Sequence, residues 1–122
     1  MKILIGDHHQ LFRAGLRLLL EPLKDGVAFG EAGTFNELVE QCRGGERYDL
    51  ILMDLGLPIL NGWQATQQIK ATPGTRHIPI IALTAYVLTE DHDKSIAAGC
   101  DDYESKPINF ARLQAKIQSL LA

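Results

Sequence analysis

Two runs of this chain, "DLILMD" at 49–54 and "IPIIALT" at 78–84, are apolar almost without a break over the length of a strand. Each closes on a polar residue, Asp54 in the first and Thr84 in the second. Runs of this kind suit strands covered on both faces, so helices must lie on either side of the sheet that holds them. The remaining sequence supplies those helices, because short apolar runs alternate five times with stretches of helical periodicity. Lys2–Gly6 reads as the first strand. Leu11, Phe12, Leu16, Leu19 and Leu20 then share one helical face, which Pro22 closes. Residues 27–32 read as a Gly-containing second strand. Thr34 and Glu37 form a capping box for the next helix, Leu38 and Val39 give it apolar contacts, and Gly44-Gly45 ends it. Residues 61–71 read as a third helix and 88–98 as a polar fourth, stopped at Gly99. Asp102–Ser105 is a short fifth strand. Phe110, Leu113, Ile117, Leu120 and Leu121 mark an amphipathic last helix.

Alternation of this kind implies an α/β fold, a doubly wound five-stranded parallel sheet with helices on both faces. Right-handed crossovers leave 2-1-3-4-5 as the leading strand order. The expectation is one domain over residues 1–122 with no effector domain. A net charge of −3 gives no basic footprint for nucleic acid. No apolar stretch approaches a membrane span, and the N-terminus carries no signal-peptide pattern. Cys42 and Cys100 read as reduced thiols of a cytoplasmic protein, not as a disulfide framework.

In that strand order, ligands sit beyond the carboxyl ends of strands 1 and 3. Asp7 follows strand 1 and Asp54 ends strand 3, so both carboxylates should face one crevice. Two anions at short range repel unless a cation intervenes. A hard divalent ion such as Mg2+ relieves that repulsion through oxygen ligands. Thr84 and Lys106 end strands 4 and 5 nearby. Acids, a hydroxyl and an ammonium together suit phosphoryl chemistry.

The segments "KILIGDHHQLFRAGL", "YDLILMDLGLPILNGWQA", "IPIIALTA" and "AAGCDDYESKPI" carry these residues. With them the chain resembles the receiver domain of two-component response regulators, over essentially its whole length. The resemblance implies the flavodoxin-like receiver fold and a phosphorelay role that is signalling, not enzymatic. It implies that Asp54 is the phosphoacceptor, served by a sensor histidine kinase or a phosphotransfer protein. Thr84 and Tyr103 take the roles of switch residues, Lys106 that of the cation beside the phosphoryl group. Lys106-Pro107 corresponds to the family's cis peptide bond. Gly56 would offer a backbone carbonyl to the metal, and Pro58 and Gly62 would shape the loop after Asp54. Effector docking or homodimerisation would use the face made by residues 88–98, strand 5 and the last helix.

One position departs from the pattern. Such receivers usually carry two adjacent acids after strand 1, and here the second is His8. His9 falls where a histidine is common among transcription-regulator receivers. Imidazole is a poor Mg2+ ligand, so the expectation is weakened Mg2+ binding by Asp7, Asp54 and Gly56. A softer ion, Mn2+ or Zn2+, held by His8, Asp7 and Asp54 is the sharper alternative. We favour His8 as a solvent-facing residue at the pocket rim, since two adjacent histidines are not a ligand set. His77 and His92 read as solvated, Trp63 as packing, and Glu90, Asp91, Asp93, Asp101 and Asp102 as a solvated acidic face. Gly56 and Tyr86, two residues after the acceptor and the switch hydroxyl, point to slow self-dephosphorylation.

Two rival functions stand beside this one. A receiver-like interaction module without phosphate control draws on His8. A flavin-binding protein on the same topology is opposed by "GDHHQ", which lacks a phosphate cradle. The first helix resembles transcription-regulator receivers, whereas residues 78–108 resemble stand-alone or hybrid-kinase receivers, as a recombined chain would.

Overall fold

The computed structural model describes residues 2–21, 27–44, 47–54, 62–72, 74–84, 99–105 and 108–121. Its strands are β1 (Lys2–Gly6), β2 (Ala28–Ala32), β3 (Leu50–Asp54), β4 (Ile80–Thr84) and β5 (Asp102–Ser105). The helices among the described residues are α1 (Gln10–Leu20), α2 (Phe35–Arg43), α3 (Gly62–Ala71) and α4 (Phe110–Leu121). All strand pairings are parallel, in the order β2-β1-β3-β4-β5. The helix expected over 88–98 lies outside the described residues.

Side chains alternate across a strand, and both faces of the central strands are apolar. On one face Leu4, Ile51, Met53, Ile80 and Ala82 join Leu38 of α2 and Ile69 of α3. On the other, Ile3, Ile5, Leu50, Leu52, Ile81 and Leu83 join Leu16 and Leu20 of α1 and Leu113 and Ile117 of α4. Burying each such side chain contributes roughly 1.5–3 kcal/mol, which is why β1, β3 and β4 form the centre. The Tyr48 ring lies against β2 at Gly30, where a Cβ would meet its hydroxyl and force the ring to shift.

Several local expectations change. β2, β3 and β4 begin one to two residues later than the apolar runs suggest, at Ala28, Leu50 and Ile80. Ile78 is still buried, but ahead of the strand. The Thr34 hydroxyl accepts from the Glu37 N–H (3.2 Å), whereas Glu37 reaches the N–H of Gly33 (3.0 Å), one residue before the cap. On α1, Leu16 and Leu20 are buried, but Leu11 is 87% and Leu19 49% exposed. Periodicity gives a helix an apolar face; packing decides which stripe of it meets the sheet.

Candidate functional site

The strand order reverses between β1 and β3. Gly6 pairs with Met53; continuing that register by one residue sets Asp7 opposite Asp54. Neighbouring parallel strands lie about 4.8 Å apart, so the two acids share one rim. Asp7 is fully buried. Asp54 is half-buried and pairs with Leu83, which places Thr84 one residue further along the same rim. Thr84 in turn faces Ser105, the last residue of β5. Four strand ends thus converge. Lys106, Pro107, Gly56, Pro58 and Tyr86 lie outside the described residues.

Asp7 is held from three directions. Its N–H donates to the carbonyl of Ala32 on β2 (3.0 Å). Its own carbonyl accepts from Nη1 of Arg13. Its Oδ1 accepts from the N–H of His9 (2.8 Å), with Nδ1 of that histidine 3.4 Å away. His9 is the N-cap of α1 and makes no side-chain cap bond. Asp7 instead closes a local turn onto the backbone two residues on, as Asp side chains readily do.

His8 is exposed, and its ring meets that of His9 edge-on, with centroids 5.2 Å apart. Among the described residues no three His, Cys, Asp or Glu side chains are grouped to hold a metal, and that includes His8, Asp7 and Asp54. The donors at the rim are carboxylate oxygens on adjacent strands. Mg2+ takes one or two carboxylates and completes its shell with water and phosphate oxygens. The residues present fit that ion.

Tyr103 packs half-buried against the core beside Ala82 and Cys100. Nζ of Lys116 on α4 donates to the Tyr103 carbonyl and lies 5.4 Å from the ring centroid. The next residue, Glu104, is 1% exposed at its side chain. It accepts from Nε of Arg112 (2.8 Å), and Lys116 Nζ lies 3.1 Å from its other oxygen. Burial pushes the Glu104 carboxyl up, but the hydrogen bond from Arg112 and the paired Lys116 ammonium outweigh it and hold it below its ordinary value. Glu31 on β2 behaves alike: burial raises it, and Arg17 and Arg13 bring it below its ordinary value.

Sequence reasoning missed Arg13, Glu104, Arg112 and Lys116. The period-two alternation of β5 and the four-residue spacing of Arg112 and Lys116 were the available signals. Asp101 is exposed, as expected, but it is also an anchor: its Oδ2 accepts from the N–H of Ile80 (2.8 Å) and from Nζ of Lys70 (3.0 Å). Asp102 is tied as well, accepting from the Tyr103 N–H with Lys116 at 3.6 Å. Cys42 is a half-buried thiol of α2, pushed by burial up to about 11, which makes it a poor nucleophile.

A doubly wound parallel sheet with two acids at its switch point defines a class of α/β domains that bind ligands beyond the carboxyl ends of their strands. Comparison with known proteins narrows that class. The chain belongs to the response regulator receiver domain family, whose profile matches residues 3–118. It is 43% identical over 75 residues to the polar-differentiation response regulator DivK of Brucella anthropi, which covers 62% of this chain and 61% of DivK. It is 44% identical over 70 residues to hybrid signal transduction histidine kinase G of Dictyostelium discoideum, covering 57% of this chain and 2% of the kinase. The chain therefore matches less than two thirds of the length of these relatives.

Among solved structures, it superposes on the receiver domain of the sensor histidine kinase PA1611 of Pseudomonas aeruginosa with a TM-score of 0.87 and 34% identity, over 98% of this chain and 96% of the other. That structure holds a magnesium ion in its active-site cleft. The receiver domain of a DNA-binding response regulator of Colwellia psychrerythraea gives a TM-score of 0.91 at 26% identity, over 99% and 98% of the two chains. Receiver domains are modules of two-component signalling. Among the described residues no helix is long and apolar enough to cross a membrane.

Proposed function

We propose that this chain is a phosphoacceptor switch of a cytoplasmic phosphorelay and that Asp54 carries the phosphoryl group. The reading rests on one observation above others: the β1–β3 register that sets the buried Asp7 opposite Asp54 at the switch point. A carboxylate oxygen of Asp54 attacks the phosphorus of a phosphohistidine on a sensor kinase or phosphotransfer protein. The P–O bond forms as the N–P bond breaks, and the imidazole leaves with the electron pair and takes up a proton. Asp7, Asp54 and the Gly56 carbonyl would hold Mg2+, or Mn2+ in the same oxygen set. When bound, the ion neutralises charge on the carboxylates and the phosphoryl oxygens. Lys106 and the Thr84 hydroxyl would then grip those oxygens.

Movement of Thr84 toward the phosphoryl group and of Tyr103 behind it would carry the change to the face of residues 88–98, β5 and α4. An effector, or a second copy, reads that face. Phosphorylation acts here by biasing a two-state element. His8 contributes no negative charge where a second acid would, so cation affinity is weak. Gly56 and Tyr86 favour a long-lived phosphoryl group.

Phosphoryl uptake from acetyl phosphate with Mg2+, followed by intact mass, tests this on wild type, Asp54→Asn and His8→Asp. The expected result is a gain of one phosphoryl group that Asp54→Asn abolishes and His8→Asp accelerates, with tighter Mg2+ binding. Gain in His8→Asp but none in wild type would mean that phosphate control was lost at His8 and the domain acts as a binding module.

A further inference from the structure

Arg13 has no part in the chemistry above, yet its guanidinium joins the acid rim to the edge of the sheet. The residue lies on α1 with its side chain 15% exposed. Nη1 donates to the Asp7 carbonyl, and Nε donates to Oε1 of Glu31 on β2 at 3.1 Å. Its backbone N–H donates to the His9 carbonyl at 3.1 Å, so main chain and side chain close over the same β1–α1 turn. A Cβ at Gly33 would stand 3.2 Å from Nη1, so the chain leaving β2 passes close against the guanidinium.

The direction of the Asp7 carboxylate depends on the peptide plane whose carbonyl Arg13 holds. Rotating that plane carries away the His9 N–H from which Oδ1 accepts, and with it the bond that orients the carboxylate. The guanidinium spans the two acceptors with separate nitrogens in a fixed plane, Nη1 on the carbonyl and Nε on the carboxylate, whereas an ammonium must reach both from one atom. Arg17 supplies the contrast. It pairs with the same Glu31 from one turn further along the helix, away from the β1–α1 turn.

We propose that Arg13 is a positioning residue of the cation site: by clamping the Asp7 carbonyl to Glu31 it fixes the carboxylate in its ligating direction. The proposal rests on the reading of Asp7 as a cation ligand. Partners that orient metal ligands typically contribute ten- to a hundredfold in affinity.

The test is calorimetric titration of Mn2+ and Mg2+ into wild type, Arg13→Ala, Arg13→Lys and Arg17→Ala, each checked for native fold by circular dichroism. Arg13→Ala should raise the cation Kd about tenfold, Arg13→Lys should recover part of it, and Arg17→Ala should stay close to wild type. Phosphoryl uptake should follow the same split, with Arg13→Ala slow at limiting Mg2+ and restored at saturation. A folded Arg13→Ala with wild-type Kd overturns the proposal. So does an Arg17→Ala that loses as much, or a wild type that binds neither ion. If Arg13→Ala does not fold, Arg13→Lys against Arg17→Ala decides by the same comparison of Kd values. A wild type that binds the ion but takes up no phosphoryl group sinks the phosphoacceptor reading, and the titrations still decide on Arg13.

Discussion

Each edge of the sheet carries a glutamate gripped by two cations, and the two clusters differ in one respect. On β2, Glu31 lies between Arg13 and Arg17 with 28% of its side chain exposed. On β5, Glu104 lies between Arg112 and Lys116 with 1% exposed. In both, one of the cations also holds a backbone carbonyl of a residue with a proposed role: Arg13 that of Asp7, Lys116 that of Tyr103. The arrangement is therefore the same at the acid rim and at Tyr103, while the solvation is not. A carboxylate in contact with water can lose a partner and be rehydrated. A buried one cannot, and its ionised form then depends on the pair. The β2 cluster is suited to orienting a group at modest energy, and the β5 cluster to making one arrangement of the edge strand costly to leave.

The comparison is most exposed to a stability measurement. Glu104→Gln should cost about 2 kcal/mol, the scale of a buried charge-assisted hydrogen bond. Glu31→Gln should cost less than about 1 kcal/mol, the range of a surface pair. Urea midpoints at unchanged slope read both, and equal losses would break the contrast.

Acid should separate the clusters next. Both carboxyls are held below their ordinary value in the native state, so the unfolded chain binds protons more readily than the native one. Their stabilisation is complete above the ordinary glutamate pKa of about 4.3. It is lost as pH falls through the lower native values. Glu104→Gln should flatten that acid limb more than Glu31→Gln does. An acid limb that keeps its full depth in Glu104→Gln would assign acid sensitivity to other carboxylates.

How much of this was legible in the sequence follows from what each feature depends on. The sheet was legible because the apolar runs at 50–53 and 80–83 are buried on both faces, and two-sided burial leaves no alternation to misread. The rim acids were legible because Asp7 and Asp54 sit at the ends of such runs, where topology alone brings them together. Leu11 and Leu19 were misassigned because helical periodicity is blind to where a helix axis lies over the sheet. The anchoring role of Asp101 was silent because its partners, Lys70 and the Ile80 N–H, are more than twenty residues away. Arg13 and Lys116 were silent because their partners, six to eighteen residues away, lie off the helices that carry them. A charged residue on a helix looks solvated until the strand beneath it is known to present a carbonyl or a carboxylate.

The most local effect expected is at Lys116. Lys116→Met keeps a long apolar stem against the edge of the sheet and removes the ammonium from the Tyr103 carbonyl, the Tyr103 ring and Glu104. Arg112 still holds Glu104, so the loss should be about 1 kcal/mol, less than for Glu104→Gln. The informative readout is the Tyr103 ring. Its proton resonances should shift in Lys116→Met, while those of Tyr48 stay put. Tyr48 carries its own cation, Lys2, with Nζ 5.2 Å from the ring centroid, and so serves as an internal control: Lys2→Met should move Tyr48 and leave Tyr103. If the Tyr103 resonances do not respond to Lys116→Met, the cation holds only Glu104, and the parallel between the two edges stops at the glutamates. If they respond, the ammonium restrains the aromatic residue itself, and the energy needed to reorient Tyr103 includes the cost of pulling it away from Lys116.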